Sequence, residues 1–174
     1  MLLIDQQQLK NIMTTRLANI DDLPAIVAIY NETIASRMVT ADTETVSVEQ
    51  KRTWFESHTQ QRPLYVYEQA GKVLAWLSYK SFYGRPAYDG TVEISIYITS
   101  LSQGQGLGKK LLHFAQQQAK FLNIEVLLAF IFSHNIPSIK LFNKFGYQKW
   151  GELPNVAVMD SKYYSLTILG KHLG

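Results

Sequence analysis

The chain has 174 residues, 47% hydrophobic and 18% charged, with no cysteine. This is the composition of one globular domain, and it excludes a disulfide framework, a thiolate nucleophile and a Cys-ligated metal. Seventeen Lys+Arg against 14 Asp+Glu leave +3, too little for a dedicated nucleic-acid binder but suited to an anion held at one place.

Residues 1–12 read as an extension before a domain spanning 13–174. The start has an acid at Asp5 and no small-residue cleavage pattern. The apolar run Val126–Phe132 is far short of the about 20 residues a membrane helix needs. The expectation is a cytoplasmic protein without a membrane segment.

Thr14–Ala18 is the first strand candidate. Asn19 and Asp21 offer cap side chains, Pro24 fits a first turn, and Leu23, Ile26, Val27, Tyr30 and Ile34 recur at helical spacing over residues 22–36. Ser47 and Gln50 form a capping box ahead of a second helix carrying Trp54 and Phe55. Leu64–Glu68 and Lys72–Tyr79 read as a hairpin through Gln69-Ala70-Gly71. Ser81–Asp89 is a loop, and Gly90–Thr99 alternates as a strand. A glycine-rich turn, Ser102–Gly108, runs into a helix over Lys109–Leu122. Val126–Phe132 is a buried strand, Pro137 opens a helix that Gly146 stops, and Tyr147–Leu153 and Tyr163–Leu169 close the chain as strands. The order β-α-α-β-β-β-α-β-α-β-β is that of one mixed α/β domain.

Gly104, Gly106 and Gly108 follow a strand and open a helix. Glycine permits positive φ and removes side chains that would block a ligand. The first helical amides point outward and the dipole adds positive charge, so the turn suits a phosphate. Lys109 and Lys110 add charge at its edge. A Walker loop fails, because Lys109 is followed by Lys110 and not by a hydroxyl residue. The dinucleotide-binding pattern fails on glycine spacing. An ordinary glycine-rich turn is the bland alternative.

Gln103-x-x-Gly106-x-Gly108 resembles the acetyl-CoA signature of the Gcn5-related N-acetyltransferases (GNAT). Asn135-Ile136-Pro137-Ser138, Leu141 and Lys144-Phe145-Gly146-Tyr147 resemble that superfamily's second acetyl-CoA segment. The resemblance covers residues 14–171. Tyr88–Glu93, Ile96-Tyr97-Ile98 and Asn135-x-Pro137-Ser138 make it most similar to the phosphinothricin and methionine sulfoximine acetyltransferase branch.

The resemblance implies a single-domain GNAT fold: a mixed, mostly antiparallel sheet, splayed at an acetyl-CoA cleft and flanked by helices. It implies that the pantetheine arm pairs with backbone of Ile96, Tyr97 and Ile98. The pyrophosphate would lie on backbone amides of Gly104, Gln105, Gly106, Leu107, Gly108 and Lys109. Asn135 would bond the pantetheine region, or cap the helix before Pro137, or both. Glu93, in an otherwise apolar strand, matches the family's general base; a buried carboxylate has its pKa pushed toward that task, the alternative being a Glu paired or solvated. A backbone amide of Ile96–Ile98 would steady the oxyanion.

Where the superfamily often has Tyr, and this branch His, to protonate the leaving thiolate, the chain has Phe142. Arg85 is the candidate clamp for an acceptor carboxylate, and Phe82, Tyr83 and Tyr88 the apolar walls. The segment Asn155–Tyr164 would complete that pocket or form a dimer contact; a homodimer is within the family's range. His58, His113, His134 and His172 lack metal-ligand spacing, so no metal is expected.

The expected activity is acetyl transfer from acetyl-CoA to the amine of a small, amino-acid-like acceptor. A non-catalytic acyl-CoA-binding module, supported by Phe142, and acetylation of a protein N-terminus or lysine are the alternatives.

Overall fold

The structure is a computed structural model and describes residues 13–174; the extension read over residues 1–12 lies outside the described residues. Seven strands form one open sheet: β1 (Met13–Leu17), β2 (Leu64–Gln69), β3 (Lys72–Ser81), β4 (Thr91–Ile98), β5 (Val126–Phe132), β6 (Gln148–Met159) and β7 (Lys162–His172). Their spatial order is β1-β2-β3-β4-β5-β7-β6, and every neighbouring pair is antiparallel except β4 with β5. Four helices flank the sheet: α1 (Leu23–Ile34), α2 (Val48–Glu56), α3 (Leu107–Phe121) and α4 (Ile136–Lys144). This is the expected order of elements.

Alternation along the strands sorts the two faces. Leu64, Val66 and Trp76 pack with Ile26 and Ile29 of α1 and with Trp54 of α2. Leu77, Tyr79, Val92 and Ile94 instead join Leu112 and Ala115 of α3 and Phe142 of α4 in the main core. Two polar tips of β3 pin a helix on each face. Trp76 Nε1 donates to the Ile26 carbonyl (3.2 Å), and the Tyr79 hydroxyl donates to the Ala115 carbonyl (2.7 Å). At the sheet's edge, Arg16 donates to both carboxylate oxygens of buried Asp22 (2.7 and 2.9 Å) and to Glu68 (2.6 Å), joining β1, the turn before α1 and β2. The Arg16 guanidinium holds the Asp22 carboxyl below the usual carboxylate range.

Two expectations need correction. The α3 helix starts at Leu107, not Lys109, because Gly106 caps it from the left-handed region (φ +80). The segment Asn155–Tyr164 does not fold over a pocket. It continues β6 to Met159, turns at Asp160-Ser161 and returns as β7. Pro154 is tolerated because β6 is an edge strand and its ladder is interrupted between Leu153 and Ala157.

Candidate active site

The one parallel pair is short. Thr91, Val92 and Glu93 of β4 pair with Val126, Leu127 and Leu128 of β5, and there the pairing stops. Beyond it β4 stays with β3 as far as Ile98, and β5 stays with β7 as far as Phe132. The two central strands therefore splay. The edge of β4 over Ile94–Ile98 has no strand partner on that side, an opening in which an extended amide chain can take the place of a strand. The cleft so formed, about 70 Å³, is lined by Ile94–Tyr97, Ala129–Ile131, Asn135, Ser138 and Phe142, with Met38 and Val39 over it.

The glycine turn lies just past the end of β4. Gly104 and Gly106 both have positive φ (+74 and +80). The bond from Lys110 N to the Gly106 carbonyl (3.2 Å) comes only after the amides of Leu107, Gly108 and Lys109, which are left for a ligand. Gly108 sits in close packing, tight for any side chain larger than a methyl. A Cβ there would sit 3.0 Å from Leu141 Cδ2 and 3.5 Å from Ile98 Cδ1. The side chains add little to the cradle. Gln105 folds back to donate to the Leu101 carbonyl (3.0 Å), Leu107 is buried against Tyr67, Ala75 and Leu111, and Lys109 is exposed.

Asn135 is buried and bonded at both ends of its amide. Its oxygen accepts from Ser138 N (3.2 Å) at the start of α4, and its nitrogen donates to the Met38 carbonyl (3.0 Å). His134 Nε2 donates to the Arg37 carbonyl (2.8 Å), and Arg37 itself pairs with Asp160. These bonds fasten the segment between α1 and α2 across the cleft. No periodic pattern or motif in residues 35–47 announces that strap; its only signal is a run of Thr, Asp and Ser able to turn and bond locally.

A second space, of about 360 Å³, opens on the other side of β4. Its sheet wall is the row Trp76, Ser78 and Lys80 of β3 facing Tyr97, Ser95 and Glu93 of β4. Tyr30 from α1 and Lys51, Trp54 and His58 from around α2 complete it, with Arg62 at the rim. Tyr97 stacks on Trp76 with centroids 4.2 Å apart. Glu93 is largely buried here, and burial pushes its carboxyl pKa up, opposed in part by Lys80 opposite. His58 Nδ1 donates to the Phe55 carbonyl (3.1 Å), and burial lowers its pKa, so the imidazole stays neutral with Nε2 as its acceptor. Ser95 and Tyr97 line both spaces, so the cleft and the cavity share one wall.

Of the sequence-based site residues, the structure gathers Glu93, Ile96, Tyr97 and the glycine turn along β4 and its continuation, with Asn135 in the cleft lining from the start of α4. Ile98 lies at the end of β4, paired with Ala75. Phe82 and Arg85 are not brought in. Tyr83 and Gly84, both at positive φ, and the short turn at Pro86–Tyr88 carry the loop outward, leaving Arg85 exposed and Phe82 packed on Tyr83 and Tyr88. Arg62 holds the two ends of that loop, donating to Ser81 Oγ (2.8 Å) and to the Asp89 carbonyl (2.7 Å). The cations of the cavity are Lys51, Arg62 and Lys80. Sequence spacing could not single out Lys51, which reads as one more polar position of an amphipathic helix. Phe142 is buried in the cleft wall, edge-on to Tyr147 (4.9 Å).

Residues 15–168 match the family model of the acetyltransferase (GNAT) domain. YwnH of Bacillus subtilis (strain 168), provisionally named a phosphinothricin acetyltransferase, is 56% identical over 162 residues, 92% of this chain and 99% of that protein. An L-methionine sulfoximine/L-methionine sulfone acetyltransferase of Pseudomonas paraeruginosa is 31% identical over 158 residues, 90% of this chain and 92% of that one. Among solved structures, yncA of Salmonella typhimurium with its cofactor acetyl-CoA superposes with a TM-score of 0.86 at 30% identity, covering 94% of this chain and 95% of that one. The glycine turn, the splayed strands and these likenesses agree: the chain belongs to the GNAT acetyltransferases.

Proposed function

We infer that the protein moves an acetyl group from acetyl-CoA to the primary amine of a small, amino-acid-like acceptor, with Glu93 as general base and without a covalent enzyme intermediate. The observation that carries this reading is the shared wall. An acyl thioester laid along the open edge of β4 and an amine in the cavity beside Glu93 meet at Ser95 and Tyr97. The names of the relatives, which act on phosphinothricin, methionine sulfoximine and methionine sulfone, support the acceptor class.

The glycine-turn amides fit the pyrophosphate of acetyl-CoA, and the unpaired edge of β4 fits its pantetheine amides. An alkyl ammonium near pKa 10 must lose a proton before it can attack. Glu93 accepts that proton, directly or through water, because its buried carboxylate is a stronger base than an exposed one. The amine nitrogen then forms the C–N bond, the tetrahedral adduct gives up the nitrogen's second proton to water as the C–S bond breaks, and the thiolate takes a proton from water, since Phe142 has none to give.

Release of thiol from acetyl-CoA in the presence of L-methionine sulfone, phosphinothricin, other amino acids, polyamines or short peptides tests this reading. Turnover confined to amino-acid-like amines supports it. Turnover of peptides only would favour protein acetylation, and tight acetyl-CoA binding without any turnover would favour the non-catalytic module for which Phe142 speaks.

A further inference from the structure

We propose that Lys51 is the residue that selects a carboxylate-bearing acceptor, its ammonium pairing with the acceptor's carboxylate while the amine lies toward Glu93. The proposal rests on the acceptor reading above and names the group that reads the acceptor's other end.

The Arg62 guanidinium is anchored at the rim, with Nε, Nη1 and Nη2 each donating one bond, to Ser81 Oγ, the Gln61 carbonyl and the Asp89 carbonyl. Lys80 stands opposite Glu93 on the neighbouring strand and acts on that carboxylate. His58 is held neutral by burial. Among the described residues neither lysine ammonium donates a hydrogen bond, but Lys80 is exposed, whereas Lys51 is part-buried. The Lys51 ammonium sits over the Tyr30 ring, 4.3 Å from the centroid, and 5.7 Å from that of Trp54. The nearest carboxylate oxygen, Asp42 Oδ2, is 4.0 Å away, beyond hydrogen-bond reach, and already accepts from the Tyr30 hydroxyl (2.5 Å).

An ammonium on an aromatic face is steadied in position yet keeps its N–H groups for a stronger acceptor. Only 24% of the Lys51 side chain is exposed, so water competes poorly for those donors. The cavity therefore offers, within one small space, an anion from β4 and a cation from α2 whose closest carboxylate, Asp42, lies at ion-pair but not hydrogen-bond distance. That arrangement complements a zwitterion, and it discriminates against an amine lacking the carboxylate by leaving the Lys51 donors unpaired.

The test compares L-methionine sulfone with 3-(methylsulfonyl)propylamine, the same molecule without its carboxylate. Trp54 and Trp76 line the cavity, so intrinsic fluorescence reads binding independently of turnover. The expected result is that Lys51→Met weakens the sulfone about 10- to 100-fold while leaving the amine within about twofold, and that Lys51→Arg restores much of the loss. KM for the sulfone should follow the binding loss, with KM for acetyl-CoA unchanged. A Lys51→Met protein that binds the amine normally is folded, so the comparison controls itself. Equal loss of both ligands, or no loss of either, overturns the proposal. Binding of the sulfone by Lys51 without turnover would instead overturn the acetyl-transfer reading and leave the carboxylate contact standing. Failure of the wild-type protein to bind either compound overturns both.

Discussion

The two spaces on either side of β4 are built from different materials. The cleft between β4 and β5 and the turn at its end are made of backbone: an unpaired strand edge, three glycines and the free amides of a helix start. The cavity is made of side chains drawn from α1, α2, β3 and β4. A backbone site recognises what all its ligands share, and it is insensitive to which side chains surround it. A side-chain site distinguishes one acceptor from another, and single substitutions change it.

The sharpest break should come at Glu93. Glu93→Gln keeps the shape of the cavity and removes its base, so kcat should fall at least about 100-fold while KM for acetyl-CoA is unchanged. Steady-state thiol release checks this. In the cleft the contrast reverses, because adding atoms should hurt and deleting a side chain should not. Gly108→Val drives a Cβ against Leu141 and Ile98, overpacking that costs about 1–3 kcal/mol and should raise KM for acetyl-CoA about tenfold. Gln105→Ala should leave that KM within about twofold, as its side chain bonds only Leu101.

Next in size is the rim. Arg62→Ala releases both ends of the loop at residues 81–89 and should raise KM for the acceptor by about tenfold through misplacement. Arg85→Ala, on the exposed outer turn, should change it less than about twofold. The smallest effect is on stability. The folded pKa of Glu93 is raised, so the folded state binds more protons than the unfolded one, and stability falls as pH rises through the shifted range. At neutral pH Glu93→Gln should therefore stabilise the fold slightly, read as a small rise in Tm by thermal unfolding.

The same division decides what could be read without coordinates. Gly104, Gly106 and Gly108 are a requirement of backbone and close packing written within five residues, and the strand before them shows Glu93 as the odd charge in an apolar alternation. Both survive translation into structure, as do the capping box at Ser47 and the strand Val126–Phe132. The side-chain cavity does not. Tyr30, Lys51 and Trp76 are far apart in the chain, and each has a bland role on its own element. Arg85 illustrates the converse, since its place in a loop near Glu93 says nothing about which way positive-φ residues will turn that loop. The length of β6 was hidden for a third reason. Pro154 and Asn155 read as a break, and only the edge position of the strand lets pairing resume at Ala157.

The pH dependence of kcat/KM for an amino-acid acceptor, measured on wild type and Glu93→Gln, tests the central claim most directly. Glu93 must be ionised to accept the proton, and burial raises its pKa from the ordinary glutamate value. Wild-type kcat/KM should fall as the pH is lowered through that raised pKa, and the Glu93→Gln variant should be slow with that limb gone. An acid limb that persists unchanged in Glu93→Gln, at undiminished rate, would contradict Glu93 as the base.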